Sequence, residues 1–337
     1  MNVLLKSTAL VGISLVCSSG LFAAEESRQS AALEPALFKG LSFSGLLEVE
    51  GAYGESDGES SSDLSLATVE LGLEAKVTDW LSARILLLYE QNGDDRILVD
   101  EASIRVQRDN SPFFVQAGRF TQSFGNFATG MISDPITLEL GETKHHASLQ
   151  AGYEGEIVSA SFSFFKGDVQ KEGMDEVNSF VGALSIGGEV NERFRYELGG
   201  SYCSNMADTD GLQDDFEPDL YRTADYVGGY SVYGLLGFGS VEVRAEYLAA
   251  AESFVDGERS GLKPAAYNVE VGCDLPESLH LALRYAGAED FNVEKQYGAT
   301  LACDLSEKAT LALEYLHNSN DDETSSDAVT VQLAMSF

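Results

Sequence analysis

Charged residues recur at every second position through long alternating segments of this chain. Glu70, Glu74, Arg84, Glu90, Glu101, Arg105, Glu242, Arg244, Glu246, Arg284 and Glu314 all occupy the parity opposite to that of their apolar neighbours. In a strand this gathers them on one face. Acids and guanidinium groups so arranged form a ladder that can orient a passing solute. They can equally brace the wall they stand on, through ion pairs worth about 0.5 kcal/mol each in water. A hairpin centred on Asp79 sets Val77 opposite Leu81, and therefore Glu74 opposite Arg84. Arg119 departs from the rule, sharing the apolar parity of Phe113, Val115 and Ala117, so a bulge before the following connection is expected to turn it inward.

A second concentration of chemistry lies in one connection, Gln122–Lys144. It carries Phe124, Phe127, Met131, Ile132, Ile136, Leu138 and Leu140 together with Asn126, Asp134, Glu139 and Glu142. An exposed loop seldom holds so many apolar residues, and connections this long without structure of their own tend to be functional. Folded into a lumen, the apolar residues would bury against the wall, leaving Asp134, Glu139 and Glu142 to narrow the passage and charge it. The competing reading is an outer flap or a subunit contact.

Signals for catalysis are weak. Of the four histidines, His145 and His146 adjoin that connection, His280 points inward near a short turn, and His317 lies in or beside an acidic stretch. A hydrolase would need Ser with His, or Asp with His, converging at a rim. Among these residues the one plausible cluster is His145 or His146 with Asp134 or Glu142, for acid–base work or metal. No catalytic residue, metal site or cofactor is assigned. The acidic run Asp208–Asp219 does not fit a calcium loop of the EF-hand type. Two rivals to a channel remain: an outer-membrane hydrolase with a rim active site, and a structural or adhesive barrel with acidic outer loops.

The elements that must position these residues are strands. From Leu41 the chain divides into about sixteen segments of roughly ten residues with period-two alternation, joined by short and long connections in turn. Short turns are expected at Thr78–Trp80, Asp109–Pro112, Gly155-Glu156, Asn191–Arg193, Gly239-Ser240, Pro276–Ser278 and Ser306–Lys308. The unit from Cys273 to Tyr285 is echoed from Cys303 to Tyr315, as expected where similar hairpins tile one sheet. Tyr53, Tyr89, Tyr202, Tyr247, Tyr267, Tyr285, Tyr297 and Tyr315 share the apolar parity and fall near the same strand ends. Such a row fits an aromatic belt at a membrane interface. The last strand, Ala328–Phe337, ends on an aromatic with Val329, Val331, Leu333 and Met335 on its apolar face. The fold class read from this is all-β: a transmembrane, antiparallel up-and-down barrel over residues 41–337, with the third outer loop folded into its lumen.

Lys6, the apolar run Ala9–Val16 and Ala23-Ala24 read as a signal peptide over 1–24, too short to span a bilayer. Cys17 is not expected to be lipidated, because bulky Val16 precedes it. Residues 25–40 form a short periplasmic segment, with no plug domain expected. The net charge of −34 excludes nucleic acid as a partner and favours cations or neutral chelates over anions. Acidic runs at Glu55–Asp63, Asp208–Asp219 and Asn318–Asp327 read as solvated loops. Cys203, Cys273 and Cys303 read as three packed thiols, the last two lying on next-but-one strands too far apart to bridge.

Several runs resemble the LbtU-type siderophore porin family: Leu66–Ala75, Val99–Ala102, Ala117–Arg119, Phe124–Phe127, Met131–Pro135 and Glu139–Thr143. The resemblance is densest over residues 41–155 and rests on barrel architecture beyond them. It implies passage of a ferric siderophore, or a similar small chelate, across the outer membrane of a Gram-negative bacterium without a plug. A coiled-coil segment found in some relatives has no counterpart here. The partners implied are outer-membrane lipid and lipopolysaccharide, the barrel-assembly machinery acting on the strand ending at Phe337, and the solute; homo-oligomerisation is left open.

Overall fold

The computed structural model describes residues 40–91, 96–144, 147–191, 193–216, 222–320 and 324–337. The expected signal peptide, all but the last residue of the segment 25–40, and the pair His145-His146 lie outside the described residues.

Sixteen antiparallel strands close into a barrel. They are β1 (Leu41–Ser56), β2 (Glu59–Thr78), β3 (Leu81–Glu90), β4 (Leu98–Val106), β5 (Phe113–Arg119), β6 (Ala147–Glu154), β7 (Val158–Phe165) and β8 (Ser179–Asn191). The second half is β9 (Phe194–Cys203), β10 (Gly229–Phe238), β11 (Val241–Ala250), β12 (Ala265–Leu275), β13 (Leu279–Glu289), β14 (Val293–Ser306), β15 (Ala309–Asn320) and β16 (Ser325–Ser336). Each strand pairs with its sequence neighbours, and β16 returns to β1 with Val331 opposite Gly51 and Leu333 opposite Val49. Phe337 extends that seam by exchanging backbone hydrogen bonds with Gly45 at 2.9 and 3.0 Å. Closure leaves no unpaired edge, which is what lets a sheet stand in hydrocarbon.

The alternation produces two surfaces. Along β15, Leu311, Leu313 and Tyr315 are exposed outward, whereas Ala312, Glu314 and Leu316 are buried inward. The tyrosines form a belt on the outer face, Tyr247 standing opposite Tyr267 and Tyr285 opposite Tyr297. Tyr230 joins it, 6.1 Å from Tyr247.

Strand ends depart from expectation where the chain is polar. The acidic run Glu55–Asp63 is not a loop: β1 and β2 continue through it and meet at a tight turn, Asp57-Gly58, with positive φ at both residues. Turns of this handedness match the twist of a two-stranded ribbon. Asp208, expected in a solvated run, is fully buried, accepting from the Val169 amide at 2.9 Å and Ser179 Oγ at 2.8 Å. It belongs to an apolar cap at the long-loop end. Phe124, Leu140, Met206, Leu212, Phe216, Phe254 and Phe291 pack there against small wall residues such as Ala250, Ala266 and Ala286. Cys203, Cys273 and Cys303 are free thiols.

Candidate functional site

The connection between β5 and β6 enters the barrel and lies along its inner wall. Its base is closed by the Gln122 amide donating to Thr143 O at 2.8 Å. A short helix, α1 (Ile136–Gly141), contacts β11, β12 and β13, burying Ile136 and Leu140 completely. Each such apolar side chain contributes roughly 1.5–3 kcal/mol on burial.

What fixes the path of this loop is its backbone. Three inward carboxylates, Glu246 on β11, Glu270 on β12 and Glu314 on β15, accept its amides in succession. Glu246 takes the Asn126 amide at 2.8 Å and the Phe127 amide at 3.0 Å. Glu270 takes the Gly130 amide and the Thr129 hydroxyl, both at 2.8 Å. Glu314 takes the Ile132 amide at 2.6 Å and the Ser133 amide at 3.2 Å. The Phe124-Gly125-Asn126-Phe127 motif makes the first of these contacts possible. Gly125 (φ +91) and Phe127 (φ +58) both adopt left-handed backbone, turning successive amides towards one carboxylate. Left-handed geometry is costly for an aromatic residue, and the two charge-assisted bonds offset it.

Arg284 on β13 completes the anchorage. Its side chain is fully buried, with Nε donating to Glu270 Oε1 at 2.9 Å. Nη1 reaches Ser133 Oγ, Asp134 O and Gln296 Oε1 at 3.0, 2.8 and 3.2 Å. Nη2 reaches Thr129 Oγ1 at 2.7 Å and Ser133 O at 2.8 Å. A planar fork that satisfies this many acceptors is peculiar to arginine. Arg244 lies beside it, 2.5 Å from Glu242 and 3.6 Å from Glu270.

The acids of the loop itself are withdrawn from solvent. Asp134 is 5% exposed, and neither carboxylate oxygen has a hydrogen-bond partner among the described residues. Burial, reinforced by Glu142 and Glu139, holds its carboxyl well above the usual range. Glu139 is pushed up to about 6 by burial, opposed by Arg284. Glu142 is likewise raised by burial, against the pull of Lys144, whose Nζ bridges Glu142 at 3.5 Å and Asp100 at 3.4 Å.

The remaining ladder residues lie on the wall formed by β2 to β6. Glu74 stands opposite Arg84 in register, but the ion pair of Arg84 runs to Glu101 at 3.0 Å, with the guanidinium side chain 55% exposed. Glu70 is partly buried on β2. Arg105 pairs with Glu154 at 2.5 Å and lies 3.8 Å over the Phe114 ring, at the edge of a recess of about 220 Å³ below the loop. Arg119 is partly buried and its Nε donates to Asp100 O at 3.1 Å; the register irregularity falls in neighbouring β4, beside Asp100, and Gly118 has φ +133. His280 is held between Asp274 and Asp304 at 2.8 and 2.9 Å, so both ring nitrogens face carboxylates. His317 lies on the outer face of β15.

Sequence reasoning placed Glu246, Arg284 and Glu314 on the inner face without assigning them the loop, and missed Glu270. The parity rule that selects Arg244 selects Glu270 as well. What parity cannot supply is the level at which these groups meet a loop from the far side of the barrel.

A closed sixteen-stranded barrel with a long loop pinned inside it is the porin fold. No protein-family model matches the chain. It is 27% identical over 242 residues to a UPF0422 protein of Coxiella burnetii, covering 68% of this chain and 52% of that protein. It is 23% identical over 242 residues to a UPF0422 protein of Legionella pneumophila strain Paris, covering 62% and 44%. The chain thus spans about half the length of the curated relatives it matches. Among solved structures, the anion-selective porin of Comamonas acidovorans superposes with a TM-score of 0.63 at 16% identity, covering 88% of this chain and 99% of that one. Pseudomonas putida OprB gives 0.63 at 10% identity over 89% and 95%, and Salmonella typhi OmpF 0.59 at 12% over 88% and 97%.

Proposed function

We propose that this chain is an outer-membrane channel for diffusion of small solutes, resident in a Gram-negative envelope and exported by the signal peptide at its N-terminus. The observation that carries the reading is the inner loop, anchored at Glu246, Glu270, Arg284 and Glu314; on this reading it restricts the lumen. Solutes pass along the wall of β1 to β6, away from the α1 contacts, where Glu70, Glu74, Arg84 and Glu101 line the route. The overall charge of −34 makes cations and neutral chelates the favoured cargo. On the strength of the LbtU-type motifs, we assign a ferric siderophore or similar iron chelate as the physiological solute. The selectivity stated for the Comamonas porin belongs to that protein. Lipid and lipopolysaccharide surround the barrel, and the assembly machinery engages the β16 strand.

The test is single-channel conductance in a planar bilayer under a salt gradient, for the refolded protein and a variant lacking residues 126–142. Cation-selective channels that widen on deletion are expected. Absence of conductance from both forms would overturn the channel, and anion selectivity would overturn the proposed cargo.

A further inference from the structure

Two residues beyond Tyr315, on the outer face of β15, a histidine is held between an acid and a serine. His317 Nδ1 faces Asp327 Oδ1 across the β15–β16 pair at 2.9 Å. Its Nε2 faces Ser319 Oγ at 3.4 Å. The Tyr297 ring stacks on the imidazole with centroids 4.7 Å apart, and the Tyr315 hydroxyl donates to the same Asp327 oxygen at 2.6 Å. Asp327 therefore accepts a hydrogen bond from Nδ1–H, and Nε2 is left with a lone pair towards the serine hydroxyl. We propose that Ser319, His317 and Asp327 form an esterase centre on the outside of the barrel, acting on acyl esters of membrane lipids.

Position selects the substrate class. Tyr285, Tyr297 and Tyr315 are exposed on the same outer face and belong to the belt whose hydroxyls sit at headgroup level. The Tyr315 hydroxyl and His317 Nδ1 meet the same Asp327 oxygen, so the imidazole stands level with the belt hydroxyls, at the long-loop end of the strand. That is the level of headgroups and glycerol esters, not of the hydrocarbon or the lumen. His317 and Ser319 are partly buried and Asp327 is exposed. A lipid lying against the barrel can therefore present its ester there without entering the pore.

The chemistry closes without a cofactor. Ser319 Oγ attacks the ester carbonyl carbon while its proton passes to His317 Nε2. The tetrahedral adduct collapses, the carbon–oxygen bond to the alcohol breaks, and the leaving oxygen takes the proton from His317. Water, deprotonated by His317, then hydrolyses the seryl ester, releasing the fatty acid and restoring the hydroxyl. Lys295 on β14 is the cross-strand neighbour of Ser319, its Nζ held by Glu294 at 2.7 Å, and supplies positive charge for the oxyanion. The Ser–His separation is at the long end for an empty site, and such bonds tighten when substrate binds. This inference rests on the reading that the barrel sits in a membrane, but not on its conducting anything.

The experiment uses the refolded full chain in zwitterionic micelles and in phospholipid vesicles. A fluorophosphonate probe with peptide mapping reads nucleophilicity, and a fluorogenic diacyl phospholipid reads turnover. Expected results are labelling at Ser319, lost in Ser319→Ala and His317→Asn, with hydrolysis reduced by about 10³-fold or more in both. Lys295→Met should lower kcat more than it raises KM. All variants should keep the heat-modifiable mobility of a closed barrel and the conductance of the parent. Absence of both labelling and turnover in the parent refutes the proposal, as does labelling that persists in Ser319→Ala. Cleavage of a short soluble ester without the phospholipid overturns the lipid assignment. Labelling and turnover in a protein that forms no channel support the centre and reject only the channel.

Discussion

Replacing Arg284 by methionine tests whether the inner loop is held by the wall or merely rests on it. The substitution keeps an unbranched apolar stem, but removes the fork that joins β13 to Thr129, Ser133 and Asp134. Breaking a buried, hydrogen-bonded ion pair costs roughly 3–5 kcal/mol, mostly through the partners left behind. Here those are the carbonyls of Ser133 and Asp134, whereas Glu270 keeps Thr129, Gly130 and Asn268 as donors. The strand ladder does not depend on the guanidinium, so the cost falls on the docked loop and not on barrel closure. At ~1.4 kcal/mol per tenfold change, docked loops lose about two to three and a half powers of ten against released ones. Native-state hydrogen exchange at the Ile132 and Ser133 amides reads that opening even while the open form is rare. We expect their protection to fall by that factor, with larger and noisier single-channel currents. Unchanged protection at both amides would sink the anchoring argument, whatever the currents do. Arg284→Lys, which keeps charge but not the fork, should fall between the two.

Three further outcomes follow from the same geometry. The Glu139 carboxyl, raised from 4.5 to about 6, makes the docked loop the more protonated state in that interval. Docking is therefore most favoured below about 4.5, and the Glu139 contribution, up to about 2 kcal/mol, is lost as pH rises through 6; conductance should increase over that window and the step should shrink in Glu139→Gln, Asp134 and Glu142 being raised in the same direction. Gly125→Ala should destabilise the docked turn by about 1–3 kcal/mol, since φ is +91 and a Cβ would lie 2.4 Å from the Phe127 ring; limited proteolysis between residues 122 and 144 checks it. Gly211→Ala would place a Cβ 2.0 Å from Glu139 O, so the cap should separate from α1, and amide exchange at Leu138 and Glu142 should rise.

Most of the strand map was legible because alternation is a local property: a strand whose two faces meet different surroundings must change polarity at every residue. The same logic identified the tyrosine belt and the short turns. It failed at Glu55–Asp63, where β1 and β2 continue into water and no face has to be apolar. It also failed at Asp208, whose burial depends on donors from Val169 and Ser179 in a different loop. At the inner loop, the mixture of apolar and acidic residues pointed inward correctly, while the roles of the acids were not legible. The Asp134 carboxylate is buried without hydrogen-bond partners among the described residues, and the negative charge that matters to the loop comes from the wall.

By itself, then, the sequence determined which residues face out from the barrel and which face its lumen, because that depends only on parity. Only the closed structure decided which of the inward groups meet. Glu246, Glu270, Arg284 and Glu314 come from four strands and receive a loop that left the sheet after β5. Their convergence depends on register and on the turn at Phe124–Phe127. The alignment of Ser319, His317 and Asp327 likewise needs the β15–β16 register, which sets His317 opposite Asp327. Periodicity assigns a face; pairing between strands decides what a side chain touches.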